Sequence, residues 1–192
     1  MTSPPRPTLP VPLVTTRLVL REFAETDWRA VHAYASDPAV TRYMFFPPRT
    51  EADSRAYVAR AIAARDEQPR QTYELAVTLR DGGRLVGACD LTGEGEGIVD
   101  IGYSLARDVW GQGYATEIVR SLVAAGFGAL GVRNIVATVA PGNRASARVL
   151  EKAGFRRMGV EYRYRYAKGH WWDMERFTLE HAEWRLTAET PP

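Results

Sequence analysis

The sequence predicts one α/β domain of the α+β kind, with a central mixed, mostly antiparallel sheet of six to seven strands flanked by about four helices. Three observations carry this. The chain has 192 residues, which suits a single domain whose core needs no covalent staple. Hydrophobic residues make up 45% and charged residues 25%, the balance of an ordinary globular chain. Apolar positions recur every second residue in some segments and every three to four in others, in the order strand, helices, three strands, helix, strand, helix, two strands. Strands interrupted by helices in this way assemble a sheet with helices laid against it.

The elements follow in chain order. Residues 1–12 contain five prolines, which can neither sustain a ladder nor continue a helix, so this stretch is expected to be a flexible tail. The domain is expected to run over 13–186, and 187–192, closed by Pro191 and Pro192, reads as a second loose end. Thr16 to Phe23 alternates as a strand. Thr26 or Asp27 can cap a short helix through Ala35, which Ser36-Asp37-Pro38 breaks. Thr50 to Arg65 is a helix whose Thr50-x-x-Asp53 start resembles a capping box. Tyr73 to Leu79 and Leu85 to Leu91 are strands joined at Asp81-Gly82-Gly83. After a turn at Glu94 to Gly97, Ile98 to Leu105 is a third. Ala115, Ile118, Val119, Leu122, Val123, Phe127 and Leu130 mark the clearest helix. Ile135 to Val139 is a buried strand, and Asn143 opens a helix that stops at Gly154. Phe155 to Tyr166 and Trp172 to Leu179 close the order as a strand pair.

Several function classes are disfavoured. The net charge is +2, too small to argue for a nucleic-acid or membrane partner. Cys89 is the single cysteine, so no internal disulfide forms, as suits a reducing compartment. No apolar run nears the ~18 residues of a membrane span, and no signal pattern opens the chain. The expected location is the cytoplasm. His32, His170 and His181 show no ligand spacing with one another or with Cys89, so no metal is expected.

Two motifs carry chemistry. Trp110-Gly111-Gln112-Gly113-Tyr114-Ala115-Thr116 lies between a strand and the long helix. Its glycines allow a tight turn and close approach to a ligand, and the helix beginning near Gly113 offers unpaired amides and the positive dipole end to a phosphate. The segment lacks the Lys-Ser/Thr of a nucleotide P-loop and the third glycine of the dinucleotide pattern. Gly126-Phe127-Gly128-Ala129-Leu130-Gly131 matches that pattern literally, but it follows a helix and precedes a strand, the reverse of the required order. The second motif is Asn143-Arg144-Ala145-Ser146, followed by Glu151-Lys152-Ala153-Gly154-Phe155. Taken alone, Asn143 reads as a helix cap.

In this order, Trp-Gly-x-Gly-Tyr-Ala-Thr-Glu, Asn-x-x-Ser and Glu-Lys-x-Gly-Phe together resemble the GNAT acetyltransferase superfamily, and most closely its type that acetylates the N-termini of ribosomal proteins. The resemblance extends more weakly from Arg17 to Trp184. It implies a GNAT-like domain and acetyl-CoA as the acyl donor. It also implies a bulged strand whose Tyr103, Ser104 and Leu105 pair with the pantetheine arm. Gly111, Gln112, Gly113, Tyr114, Ala115 and Thr116 would hold the pyrophosphate through backbone amides, and Asn143 would contact the cofactor arm. Many relatives have a tyrosine acid just before the Glu-Lys pair; Leu150 stands there, which excludes it. Ser146 matches a serine proposed as the acid and is also a candidate cofactor contact. The family often begins its loop with Gln or Arg where this chain has Trp110.

The implied reaction moves an acetyl group to a primary amine, either a protein N-terminus or a small molecule, by direct attack in a ternary complex. The amine must lose a proton, the oxyanion needs donors, and the departing sulfur needs an acid. Alternation puts Ile98, Asp100, Gly102 and Ser104 on one face of their strand, making Asp100 the favoured base; Glu94, Glu96 or a water chain are alternatives. If Asp100 is the base, Asp100→Asn is expected to lower the rate most below neutral pH. Cys89 is expected to be a buried thiol with no catalytic role.

Two other functions are compatible with these features. A non-catalytic acyl-CoA-binding regulatory module would keep the glycine loop without a working acid and base. An RNA-binding protein would use the alternating Tyr162 to Tyr166 strand and bind single strands with strong salt dependence. That strand otherwise reads as one aromatic core face and one wet basic face, or as an acceptor-pocket wall. Phe45-Phe46-Pro47-Pro48 reads as an exposed aromatic loop that can serve as a lid, an acceptor wall or a homodimer contact.

Overall fold

Strand alternation sorts the side chains of this protein onto two unequal sheet faces, and that inequality makes room for its site. A computed structural model describes residues 8–188. Its strands are Leu13–Val14 (β1), Leu18–Arg21 (β2), Thr72–Leu79 (β3), Leu85–Gly95 (β4), Ile98–Leu105 (β5), Asn134–Val139 (β6), Arg156–Ala167 (β7) and His170–Glu180 (β8). They form one sheet in the order β1-β2-β3-β4-β5-β6-β8-β7. Every neighbouring pair is antiparallel except β5 and β6, which run parallel. The mixed, mostly antiparallel sheet is the expected one, with eight strands where six to seven were expected.

The helices are Trp28–Ala35 (α1), Pro38–Thr41 (α2), Glu51–Arg65 (α3), Tyr114–Gly128 (α4), Arg144–Lys152 (α5) and His181–Ala188 (α6). Local chemistry sets their starts. The Thr50 hydroxyl accepts the Asp53 amide at 3.1 Å and the Asp53 carboxylate accepts the Thr50 amide at 3.0 Å, so the capping box forms. Asn143 caps α5 by accepting the Ser146 amide at 3.2 Å. Of the two helices beyond the expected four, α2 is marked by Asp37, whose carboxylate accepts the Ala39 amide at 2.8 Å, and by Pro38, residues that read in sequence as a break, while α6 has no strong marker. α2 is a single turn begun by Pro38. α6 continues directly from β8, held by Phe127, which stacks on His181 at 5.1 Å and lies tilted against Trp184 at 5.3 Å.

One sheet face is aliphatic. Leu75, Val77, Leu91, Val99, Ile101, Ile135 and Phe177 pack there with Ile118 and Leu122 of α4 and Leu150 of α5. The opposite face, toward α1 and α3, carries Ala76 and Ala88 against Val31, Tyr34, Tyr57 and Val58. Glu74, Asp90, Asp100, Gly102 and Ser104 share that face by alternation along β3, β4 and β5. Small and polar residues cannot fill the space under the helices, so this side holds a cavity.

The expected tail of residues 1–12 lies partly outside the described residues. Within the described part, Leu9 is buried in the aliphatic core and its amide donates to the Tyr73 hydroxyl at 3.3 Å. The second expected loose end, 187–192, begins within the last turn of α6 and otherwise falls outside the described residues. Among the described residues no helix is long and apolar enough to cross a membrane.

Candidate active site

The parallel pair β5–β6 opens partway along its length. Ile98, Val99 and Asp100 pair with Asn134, Ile135 and Val136. Beyond that point β5 stays on β4 as far as Leu105 opposite Gly87, while β6 stays on β8 as far as Val139 opposite Glu175. The β6-facing edge of β5 from Ile101 to Leu105 therefore has no strand partner. Tyr103, Ser104 and Leu105 all stand on it. Such an edge accepts an extended chain through backbone hydrogen bonds. Trp110 closes its end, its indole N–H donating to the Leu105 carbonyl at 2.8 Å. That contact gives Trp110 a structural role at the position where the resemblance implies Gln or Arg.

The glycine loop follows directly. Gly111 has φ 75° and Gly113 φ 81°, left-handed conformations that suit glycine. The Gly113 carbonyl accepts the Glu117 amide at 3.2 Å, starting α4. No side chain caps this end, so its first-turn amides face outward without internal acceptors. Arg17, missed in the sequence, braces the loop. Its guanidinium donates to the Gln112 carbonyl at 2.9 Å, lies 4.4 Å from the Tyr114 ring centroid and pairs with Glu117 at 2.7 Å. Glu117 also accepts the Thr15 hydroxyl at 2.6 Å and the Arg17 amide at 2.8 Å. Together these contacts hold its carboxyl below the usual carboxylate range against the opposing effect of burial. An open strand edge leading into a ring of outward amides fits an extended acyl-thioester arm that ends in a pyrophosphate.

A cavity of about 340 Å³ crosses the sheet at the gap, within the range of small-molecule sites. Asp100, Gly102 and Ser104 line it from one face, and Tyr103, Ser146 and Leu150 from the other, with Asn143 at its edge. Asp100 and Ser146, the predicted base and acid, thus reach one space from opposite sides. Ser146 shares a 2.8 Å hydrogen bond with the Tyr103 hydroxyl. Burial raises the Tyr103 pKa, which keeps the phenol protonated. Two hydroxyls therefore stand where sequence reading placed one acid.

Asp100 is not alone. Glu74 and Asp90 are directly paired across β3–β4, and Asp90 lies opposite Gly102 on β5. The missing side chain of Gly102 leaves room for the Asp90 carboxylate, which a Cβ there would strike. Burial, then the charge of Glu74, pushes Asp90 up to about 7. Burial, then the charges of Asp90 and Glu94, pushes Asp100 up to about 8. The buried Asp100 Oδ2 has no hydrogen-bond partner. Asp100 therefore does not titrate as an ordinary carboxylate, and the expected effect below neutral pH moves to alkaline pH. Of the alternative bases, Glu94 is paired with Arg176 at 2.7 Å. Neither Glu94 nor Glu96 lines the cavity.

Tyr43, Met44, Phe45 and Phe46 wall the cavity with Tyr34, Tyr57, Arg49 and Arg165. The Phe45–Phe46 segment is thus half-buried, where the sequence suggested exposure. Phe45 stacks on Tyr164 at 6.1 Å and meets Trp172 edge-on at 5.8 Å. The Tyr162–Tyr166 segment has no aromatic core face. It sits on the edge strand β7, where register shifts between Glu161 and Arg165 and Arg163 has φ 52°. That irregularity turns Tyr162 and Tyr166 outward, 78% and 60% exposed, while Tyr164 packs on Phe45 and Arg165 lines the cavity. Cys89 is buried and its thiol is pushed well up by burial. Among the described residues no group of side chains could hold a metal ion. Glu74 and Asp90 had a readable signal, acids on the Asp100 face of neighbouring strands, whereas Arg49 had none.

The acetyltransferase (GNAT) domain profile matches residues 17–156. The uncharacterized N-acetyltransferase YnaD of Bacillus subtilis (strain 168) is 33% identical over 174 residues, covering 90% of this chain and 98% of its own length. The crystal structure of an acetyltransferase (GNAT family) from Bacillus anthracis superposes with a TM-score of 0.79 at 30% identity, covering 88% of this chain and 98% of that one. RimL, a ribosomal L7/L12 alpha-N-protein acetyltransferase solved with coenzyme A, shares the fold with a TM-score of 0.76 at 20% identity, covering 87% of this chain and 96% of its own.

Proposed function

Because the chain belongs to the GNAT acetyltransferase family, we propose that it moves an acetyl group from acetyl-CoA directly to a primary amine, with Asp100 and Ser146 acting from opposite faces of the sheet. The observation that carries this reading is the single cavity reaching both residues through the β5–β6 gap. Acetyl-CoA supplies the activated thioester carbonyl.

This chain's residues supply the rest. Backbone amides from Gly111 to Thr116 hold the pyrophosphate. The open edge at Tyr103, Ser104 and Leu105 aligns the arm and offers donors to the developing oxyanion. Asn143 lies at the arm and holds Ser146 in place through the helix cap. Deprotonated Asp100 takes the proton from the acceptor ammonium. The Tyr103–Ser146 pair gives a proton to the departing sulfur. No covalent enzyme intermediate is needed, and Cys89, protonated and buried, is not placed to form one. The acceptor is a peptide N-terminus or a small amine; the sequence resemblance favours the former, and a cavity of about 340 Å³ suits only its first residues.

Ser146→Ala tests the acid assignment. The capping bond uses the Ser146 backbone amide and survives the change. Turnover is expected to fall about 10- to 100-fold, limited by the remaining Tyr103 hydroxyl, while the KM for acetyl-CoA stays within about twofold. Equal losses in turnover and acetyl-CoA affinity would make Ser146 a binding residue instead.

A further inference from the structure

Arg49 stands in the cavity wall as a cation with no salt-bridge partner, the carboxylate whose charge it feels being Glu74 across the cavity lining. Its guanidinium is sandwiched between Phe46, at 4.1 Å from the ring centroid, and Tyr57, at 3.8 Å. Its backbone amide is anchored to the Ala35 carbonyl at 2.9 Å. Among the described residues its side chain has neither an ion pair nor a hydrogen bond. Burial lowers its pKa, the mark of a desolvated charge. Faces covered by aromatic rings leave only the N–H edges for binding, and those edges are shaped for a carboxylate.

Arg49 and Asp100 line the same cavity, Asp100 from β5 and Arg49 from the loop that precedes α3. The charge of Arg49 is felt by Glu74 on β3, whereas the charges felt by Asp100 on β5 are those of Asp90, Glu94 and Arg176. Two strand spacings separate β3 from β5, roughly 10 Å. The cavity therefore carries both signs of charge, the carboxylates of Glu74, Asp90 and Asp100 and the guanidiniums of Arg49 and Arg165, with Arg49 the one held between two rings.

Resting on the acetyltransfer reading above, we propose that the acceptor carries a carboxylate as well as its amine, and that Arg49 is the residue that selects for it. A purely cationic acceptor would meet Arg49 unshielded, and a neutral one would leave it desolvated and unpaired. The carboxylate can belong to a free amino acid or to an acidic side chain near a peptide N-terminus.

The test measures thiol release from acetyl-CoA with matched acceptor pairs. The pairs are free amino acids against their carboxamides, and Asp- or Glu-bearing tripeptide amides against their Asn or Gln forms. The wild type should prefer the acidic member of at least one series by kcat/KM, and that series identifies the source of the carboxylate. In Arg49→Met the acid-to-amide ratio should fall about 10- to 100-fold, the worth of a charge-assisted hydrogen bond, with the acetyl-CoA KM unchanged. Arg49→Lys, which keeps the charge but loses the flat fork, should fall between the two and guards against a folding defect in the first variant. Turnover of amides as efficient as that of acids in both series overturns the proposal, as does an equal loss for both members in Arg49→Met. Such results leave the transferase reading intact. Absence of thiol release with every acceptor would instead remove that reading, and the Arg49 assignment with it.

Discussion

Gly113→Asp should weaken coenzyme A binding about 1000-fold while leaving the fold intact. The loop's grip on an anion comes from outward amides at the start of α4 and from the helix dipole, with no basic side chain required. A new carboxylate there meets the pyrophosphate at close range. One pair of like charges ~4 Å apart costs ~4 kcal/mol at the dielectric of a protein surface, and that figure corresponds to about three decades in Kd. The backbone accepts the change comparatively well, because Asp is one of the few L-residues that visit left-handed geometry, and the space beyond Gly113 holds only the end of Arg17, at 3.5 Å. Gly113→Ala separates the causes. It strains the same φ of 81° without adding charge, so its loss should stay near tenfold. Titration calorimetry with coenzyme A, beside a thermal melt, reads both. Unchanged affinity in Gly113→Asp would remove the loop from cofactor binding.

Asp100→Asn should lower kcat/KM by about 10²- to 10⁴-fold at pH 8 and above, with a shrinking deficit toward pH 6. The direction follows from burial. A base works when deprotonated, and Asp100 is pushed up to about 8 by burial and by the charges of Asp90 and Glu94. The wild-type rate should therefore climb about tenfold per pH unit below that value and level off above it. The asparagine variant should lose the climb. If the limb persists in Asp100→Asn, it belongs to the acceptor's own ammonium or to a water chain. Stability gives an independent check. A carboxyl whose folded pKa is raised contributes stability fully present below its unfolded value near 4 and lost as pH rises through about 8. Asp100→Asn should thus melt higher than the wild type at alkaline pH, and the activity loss cannot then be assigned to unfolding.

What the sequence disclosed was local. Thr50 with Asp53, Asn143 with the Ser146 amide, and the glycines at 111 and 113 each act within a few residues, so spacing alone reveals them. The alternation of β5 placed Asp100 and Tyr103 on opposite faces correctly, because a strand's period is insensitive to what it packs against. The family resemblance implied a bulge in β5 beside the cofactor arm; β5 instead pairs regularly with β4 from Val99 to Leu105, and its free edge arises where β6 stops pairing, which no residue pattern reveals. The brace between Arg17 and Glu117 spans 100 residues and left no trace in spacing. Arg49 was not singled out, because its significance depends on rings supplied by Phe46 and Tyr57. Of the readings open for Tyr162–Tyr166, the aromatic core face fails because at a sheet edge a bulge disrupts the period, whereas Arg165 does line the cavity as a pocket wall would.

The pH behaviour shows the same division. Residue type marked Asp100 as a candidate base, but its pKa is raised first by burial and then by the charges of Asp90 and Glu94, features that only the folded sheet supplies. Burying three acids on one small-residue face destabilises the charged form of each, and a cationic amine entering the cavity would relieve that cost.

The most direct test of the central claim is thiol release from acetyl-CoA in the presence and absence of a panel of amines and short peptides, with products read by mass spectrometry. The account predicts release that depends on the acceptor and matches the N-acetylated product mole for mole. Tight coenzyme A binding with no acceptor-dependent release across the panel would contradict it and favour a regulatory module that keeps the loop without the chemistry.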